Sequence, residues 1–136
     1  MNSEPEIRSV ATAQLTVSEA DLASAVGLEK GDDFPRVFAT SRLVALMEVA
    51  AARLLRPHLR EGELSVGVTV DIVHTVATPL HGTVIATATY IGRDAKLFVF
   101  EVLAADDAGE VGRGTHKRAI VSTDRLTAGA AKRMKS

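Results

Sequence analysis

Cysteine is absent from the 136 residues, which removes disulfides, thiolate metal sites and a cysteine nucleophile together. An excess of charge of one sign is also missing. Sixteen Lys and Arg stand against seventeen Asp and Glu, for a formal net charge of −1, so nothing in the balance calls for a nucleic acid or an anionic membrane as partner. The opening residues, MNSEPEIRSV, are acidic and carry no apolar run. They read as neither a secretory signal nor a membrane span, and the expected location is the cytoplasm. No internal repeat and no Pro-, Gly- or Ser-rich linker divides the chain. The expectation is one domain over residues 1–136, with residues 1–10 and 125–136 as flexible ends. The second of these ends is a small basic tail with Lys132, Arg133 and Lys135, read as solvated.

What is present is the composition of an ordinary globular protein, 46% hydrophobic and 24% charged, in a chain long enough to bury a core without covalent staples. Residues Ser9 to Ser18 alternate apolar and polar, as a strand does. The next stretch, EADLASAVGLEKGDDFPRVF, is broken by Gly27, Gly31 and Pro35 and reads as a loop with one helical turn, the kind of long connection that serves as a binding loop or lid. From Ser41 to Arg56 the period changes to that of a helix. Leu43, Leu46, Met47, Ala50 and Leu54 form one stripe, Thr40 or Ser41 is the expected N-cap, and Pro57 is the stop.

Past Gly62 the period becomes two. Leu64–Ala77, Gly82–Gly92, Ala95–Asp106 and Glu110–Thr123 are rich in Val, Ile, Thr and Phe and read as four strands. Short connections around Pro79–Gly82, Arg93–Asp94 and Asp107–Gly109 suit antiparallel hairpins. One long amphipathic helix with enough strand to wrap it defines an α+β fold, a curved antiparallel sheet around a central helix. Such a sheet leaves an edge strand open, and pairing two copies covers it, so a homodimer is expected.

Two residues stand out against this packing pattern. At 100° per residue, Glu48 falls beside Val44 and Leu55 on the flank of the buried stripe, so its carboxylate leaves the helix among apolar neighbours and is placed to act as a general base. In GVTVDIVHTV, strict alternation sets Val66, Val68, Val70, Ile72, His74 and Val76 on one face and Gly67, Thr69, Asp71, Val73 and Thr75 on the other. His74 therefore occupies a position where a core valine is expected, facing the helix that bears Glu48. Thr40, at the start of that helix, completes a set able to meet at one spot. His58, His81 and His116 have no ligand spacing with one another and read as surface or strand histidines, so no metal is expected.

Three segments in order, FPRVFATSRLVALMEVA, SVGVTVDIVHTVATP and VGRGTHKRAI, resemble the hotdog-fold acyl-CoA thioesterases, and within them the fluoroacetyl-CoA thioesterase family, over Phe34 to Thr123. The resemblance implies a hotdog domain acting as a homodimer with active sites at the subunit interface. It places the family's catalytic Thr, Glu and His on Thr40, Glu48 and His74, at preserved intervals. A glycine beside the substrate carbonyl falls on Gly67, and an acyl-pocket or lid phenylalanine falls on Phe34. Gly31 stands where the family has a second lid phenylalanine, and Val49 replaces the aromatic that follows the catalytic Glu. Both departures bear on the pocket entrance rather than on the catalytic set.

The function this implies is hydrolysis of a short-chain acyl-CoA to free acid and CoA, with no cofactor. Glu48 would be base or nucleophile, His74 would serve the departing thiolate, and Thr40 would orient its neighbours. Arg36, Lys96, Arg113, Lys117 and Arg118 are the cations available to the phosphates of CoA. A non-catalytic acyl-thioester-binding protein and a hydroxyacyl-thioester dehydratase are the alternatives the same fold allows.

Overall fold

The computed structural model of the chain describes residues 1–135. Its strands are β1 (Val10–Thr16), β2 (Glu63–His74), β3 (Thr83–Asp94), β4 (Leu97–Asp106) and β5 (Gly109–Ser122), and its helices are α1 (Thr40–Leu55) and α2 (Thr123–Arg133). All pairings are antiparallel, in the spatial order β1-β3-β4-β5-β2. The sheet curls around α1, as the alternation of the strands and the single apolar stripe of the helix require. The expected stripe of Leu43, Leu46, Met47, Ala50 and Leu54 is buried, joined by Ala51 and Leu55. The facing sheet offers small side chains at Ala13, Ala86, Ala88 and Ala104, all buried, which lets the helix lie close against it, with Tyr90, Phe98 and Phe100 filling one end of the core.

Leu43 is completely buried, with its Cδ2 close against the backbone of Gly112 on β5. Leu43→Ala should lower the unfolding free energy by about 2–5 kcal/mol, the cost of lost transfer energy plus a cavity. Urea denaturation checks this, and a change well under 1 kcal/mol would mean that the helix can settle into the space.

The structure departs from the sequence reading in several places, among them the end of β2 at His74 rather than Ala77. β3 runs two residues further than expected, so the hairpin to β4 turns at Ala95 and Lys96 rather than Arg93 and Asp94, with Ala95 in the left-handed region at φ 54°. The long connection between β1 and α1 contains two short 3-10 turns, Glu19–Asp21 and Ala23–Ala25. It is held by a bridge from Leu22 to Phe38 and by bonds from Ala39 N–H to the Asp21 carbonyl (2.9 Å) and Phe38 N–H to the Thr78 carbonyl (2.8 Å). The basic tail begins as α2, which buries no residue and is capped by the Ser122 hydroxyl. At the other end, the Met1 ammonium meets Glu63 at 2.7 Å and Arg8 N–H donates to the Tyr90 carbonyl at 2.7 Å. Among the described residues no helix is long and apolar enough to cross a membrane.

Candidate active site

Two polar clusters lie between α1 and β2, at different levels of the helix. The first is at its N-terminus. The bonds to Phe38 and Ala39 deliver the chain into α1 so that Ala39, not Thr40 or Ser41, is the N-cap; no side chain caps this end. Thr40 is the first helical residue, and its hydroxyl is engaged elsewhere, 2.8 Å from Nδ1 of His74. His74 is the last residue of β2. Phe38, buried, meets its ring edge-on at 6.4 Å between centroids. Burial pushes the imidazole below its ordinary pKa, partly offset by the nearby Val76 backbone, so His74 is neutral at pH 7. Its Nε2 is buried and has no hydrogen-bond partner among the described residues. Thr40, His74 and Phe38 line a cleft of about 260 Å³ together with Ala23, Pro35 and Val37.

The second cluster lies two turns along α1. Eight residues separate Glu48 from Thr40, about 12 Å along the helix axis, and Glu48 hydrogen-bonds to neither Thr40 nor His74. The apolar surround expected of Glu48 is not what the fold supplies: its Oε2 accepts from Arg118 Nη1 at 3.0 Å. Arg118, counted among the cations available to phosphate, is 5% exposed. Its Nε donates to the Ser65 hydroxyl and its Nη2 to the Ser65 carbonyl, each at 2.9 Å. A buried guanidinium requires such partners, because an unpaired charge in the interior is strongly unfavourable. His116, read as a surface or strand histidine, is 1% exposed and joins the cluster at 3.1 Å from Arg118 Nη1.

Gly67 also belongs to this second cluster, on the face that strict alternation denies it. The register of β2 against β5 slips between Gly67 and Thr69, a β-bulge at Val68. Before it, Gly67 pairs with Arg118; after it, Val70 pairs with His116 and His74 with Gly112. Paired residues share a face, so the extra residue turns Gly67 and His74 toward the same side, the side of the helix. A Cβ at position 67 would overlap Oε2 of Glu48 and stand 3.1 Å from Cε1 of His116. Close approach of the carboxylate, not a turn, requires glycine here.

Phe34 stands on the connection before α1, 51% exposed, and is not among the residues lining the cleft. The aromatic that touches the site is Phe38. Of the other cations, Arg36 pairs with Glu19, Lys117 with Asp94 and Arg113 with Glu110. Arg118 and His116 could have been found from one signal: they are two residues apart on β5, on the face that Gly112 and Gly114 also occupy, and a polar pair on a face turned to a buried helix has to be satisfied from within.

A curved antiparallel sheet wrapped around one long helix is the architecture of the hotdog thioesterases. A hypothetical protein of Thermus thermophilus, described as a member of the thioesterase superfamily, shares this fold with a TM-score of 0.85 at 22% identity, over 95% of this chain and 93% of its own. Residues 17–124 match the model of the fluoroacetyl-CoA-specific thioesterase family, and the chain belongs to that family and is a thioesterase. A fluoroacetyl-CoA thioesterase from Streptantibioticus cattleyicolor is 40% identical over 96 residues, 71% of this chain and 69% of that protein. A solved structure of a fluoroacetyl-CoA thioesterase superposes with a TM-score of 0.92 at 30% identity, covering 98% of this chain and all of its own.

Proposed function

We propose that the protein hydrolyses a short-chain acyl-CoA to the free acid and CoA, with Thr40, Glu48 and His74 as its catalytic residues. The observation that carries this reading is the Thr40–His74 hydrogen bond in the lining of a cleft, beside a buried imidazole nitrogen that has no partner among the described residues. With the Thr40 hydroxyl donating to Nδ1, the imidazole proton sits on Nε2, where it can donate a hydrogen bond to a departing thiolate. The uncapped N-terminus of α1 presents backbone N–H groups and the positive end of the helix dipole to the developing oxyanion. Glu48 takes a proton from water as the oxygen attacks the thioester carbon. The tetrahedral intermediate then expels the CoA sulfur, which the His74 Nε2–H stabilises by a hydrogen bond and which takes up the proton that Glu48 removed from water, leaving Glu48 ionised again. Direct attack by the carboxylate, through a mixed anhydride that water then cleaves, uses the same residues. Phe34, exposed on the connection before α1, is the lid of this reading, and Gly67 lies beside the substrate carbonyl.

The separation of Glu48 from His74 within one chain is resolved by a second copy. β2 is an open edge of the sheet, and Val49 on α1 with Val68, Val70 and Val73 on β2 leave apolar surface exposed along it. Such an edge favours antiparallel pairing. A two-fold pairing of β2 centred near Val70 and Asp71 brings Gly67, with its Glu48, alongside His74 of the partner subunit. Each dimer then holds two composite sites at its interface.

Thiol release from a panel of acyl-CoAs, fluoroacetyl-CoA and acetyl-CoA included, tests the activity. Free acid and thiol in equal amounts are expected, with the preferred acyl group set by the entrance that Gly31 and Val49 leave open. Binding without release would favour a carrier, and an enoyl thioester as product would favour a dehydratase.

A further inference from the structure

The second cluster contains a buried imidazole that the reaction above does not use. We propose that His116 is a positioning residue: as a neutral imidazole it holds the Arg118 guanidinium in place, and through it the Glu48 carboxylate over Gly67. The inference rests on reading Glu48 as the catalytic carboxylate.

The hydrogen bonds of His116 admit one protonation state. Its Nδ1 lies 2.8 Å from the Thr69 carbonyl, which can only accept, so Nδ1 carries a proton. Its Nε2 lies 3.1 Å from Arg118 Nη1, which can only donate, so Nε2 presents its lone pair. Imidazolium has no lone pair and would break the second bond. Arg118 Nη1 is shared between His116 and Glu48 Oε2, while the other side of the guanidinium is clamped by Ser65. His116 thus sets where along its arc the shared nitrogen rests, and the carboxylate follows that nitrogen.

The surroundings keep the ring in this state. The charged groups facing it are Arg118 from its own strand and Glu48 from α1. β2 contributes the Thr69 carbonyl and Val70, and β4 contributes the Phe100 ring at 6.3 Å. Burial, with the neighbouring guanidinium, places the imidazole below its ordinary pKa, so it is neutral throughout the neutral range. Ser65 still anchors Arg118 when His116 is replaced, so the carboxylate should be displaced rather than released.

The test compares His116→Phe, which fills the space without an acceptor, with His116→Gln, whose amide oxygen can accept from Arg118. With acyl-CoA as substrate, H116F should lose on the order of 10- to 100-fold in kcat, the effect of a displacement near 1 Å, with KM unchanged, and H116Q should recover most of the loss. Wild-type turnover in H116F, or an equal loss in both variants, overturns the proposal. Glu48→Gln is run alongside: if it retains turnover, the reading of Glu48 fails, whereas an inactive E48Q beside a fully active H116F defeats this inference alone. Nitrogen NMR of histidine-labelled wild-type protein asks the same question without a variant. The Nδ1-protonated neutral tautomer is expected at neutral pH, and an Nε2-protonated ring or an imidazolium there overturns the proposal.

Discussion

Glu48→Gln should remove nearly all thioester hydrolysis, lowering kcat on the order of 10²- to 10⁴-fold, the range that a positioned general base contributes. Glutamine has the size of glutamate, and its amide oxygen can still accept from Arg118 Nη1, so the buried guanidinium keeps a partner and the fold should survive. What is lost is the ability to take a proton or to attack. KM should change little, because Glu48 acts on the water or the carbonyl rather than on the CoA portion of the substrate. A variant that folds and retains turnover would remove Glu48 from the mechanism.

The same variant tests how the site is assembled. Glu48→Gln and His74→Ala proteins, each inactive alone, are mixed, unfolded and refolded together. If each site takes Glu48 from one subunit and His74 from the other, half of the dimers carry one intact site of their two, and roughly a quarter of wild-type turnover returns. If both residues of a site belong to one chain, no mixture recovers activity. The two outcomes separate a composite site from a local one without any structure of the dimer.

The parts of the fold that follow from periodicity were readable in advance. The stripe from Leu43 to Leu54 and the four valine- and isoleucine-rich strands name their buried faces by a simple count. The unreadable parts depend on a partner strand or on a lack of burial. The bulge at Val68 exists only relative to β5, and one extra residue there reverses the face assigned to Gly67. Thr40 has the chemistry of an N-cap, and only its proximity to His74 shows why its hydroxyl is used otherwise. Arg118 reads as a surface cation until Glu48, Ser65 and His116 are seen around it. α2 buries nothing, so no packing partner marks it as part of the core; its signals were Ser122 before it, Asp124 in its first turn and Lys132 and Arg133 in its last.

Gly67→Ala adds one methyl group and should cost on the order of 100-fold in kcat, because that methyl occupies the space of the Glu48 carboxylate. The backbone at this position does not demand glycine: Gly67 is absent from the positive-φ residues, so alanine meets no conformational penalty and reduces the freedom of the unfolded chain. The conflict is local. The new Cβ would overlap Oε2 and lie 3.2 Å from Cδ of Glu48 and 3.1 Å from Cε1 of His116. The imidazole is held between Thr69 and Arg118 and cannot withdraw without breaking its bonds, whereas Glu48, 38% exposed, can swing outward. The carboxylate is therefore the group that moves, and a displacement near 1 Å at a reacting group is enough for a loss of this size. Thermal unfolding should change by only a few degrees while kcat collapses, which distinguishes a misplaced base from a damaged fold. If G67A hydrolyses its substrate at the wild-type rate, the position that Glu48 occupies over β2 is not the one from which it acts.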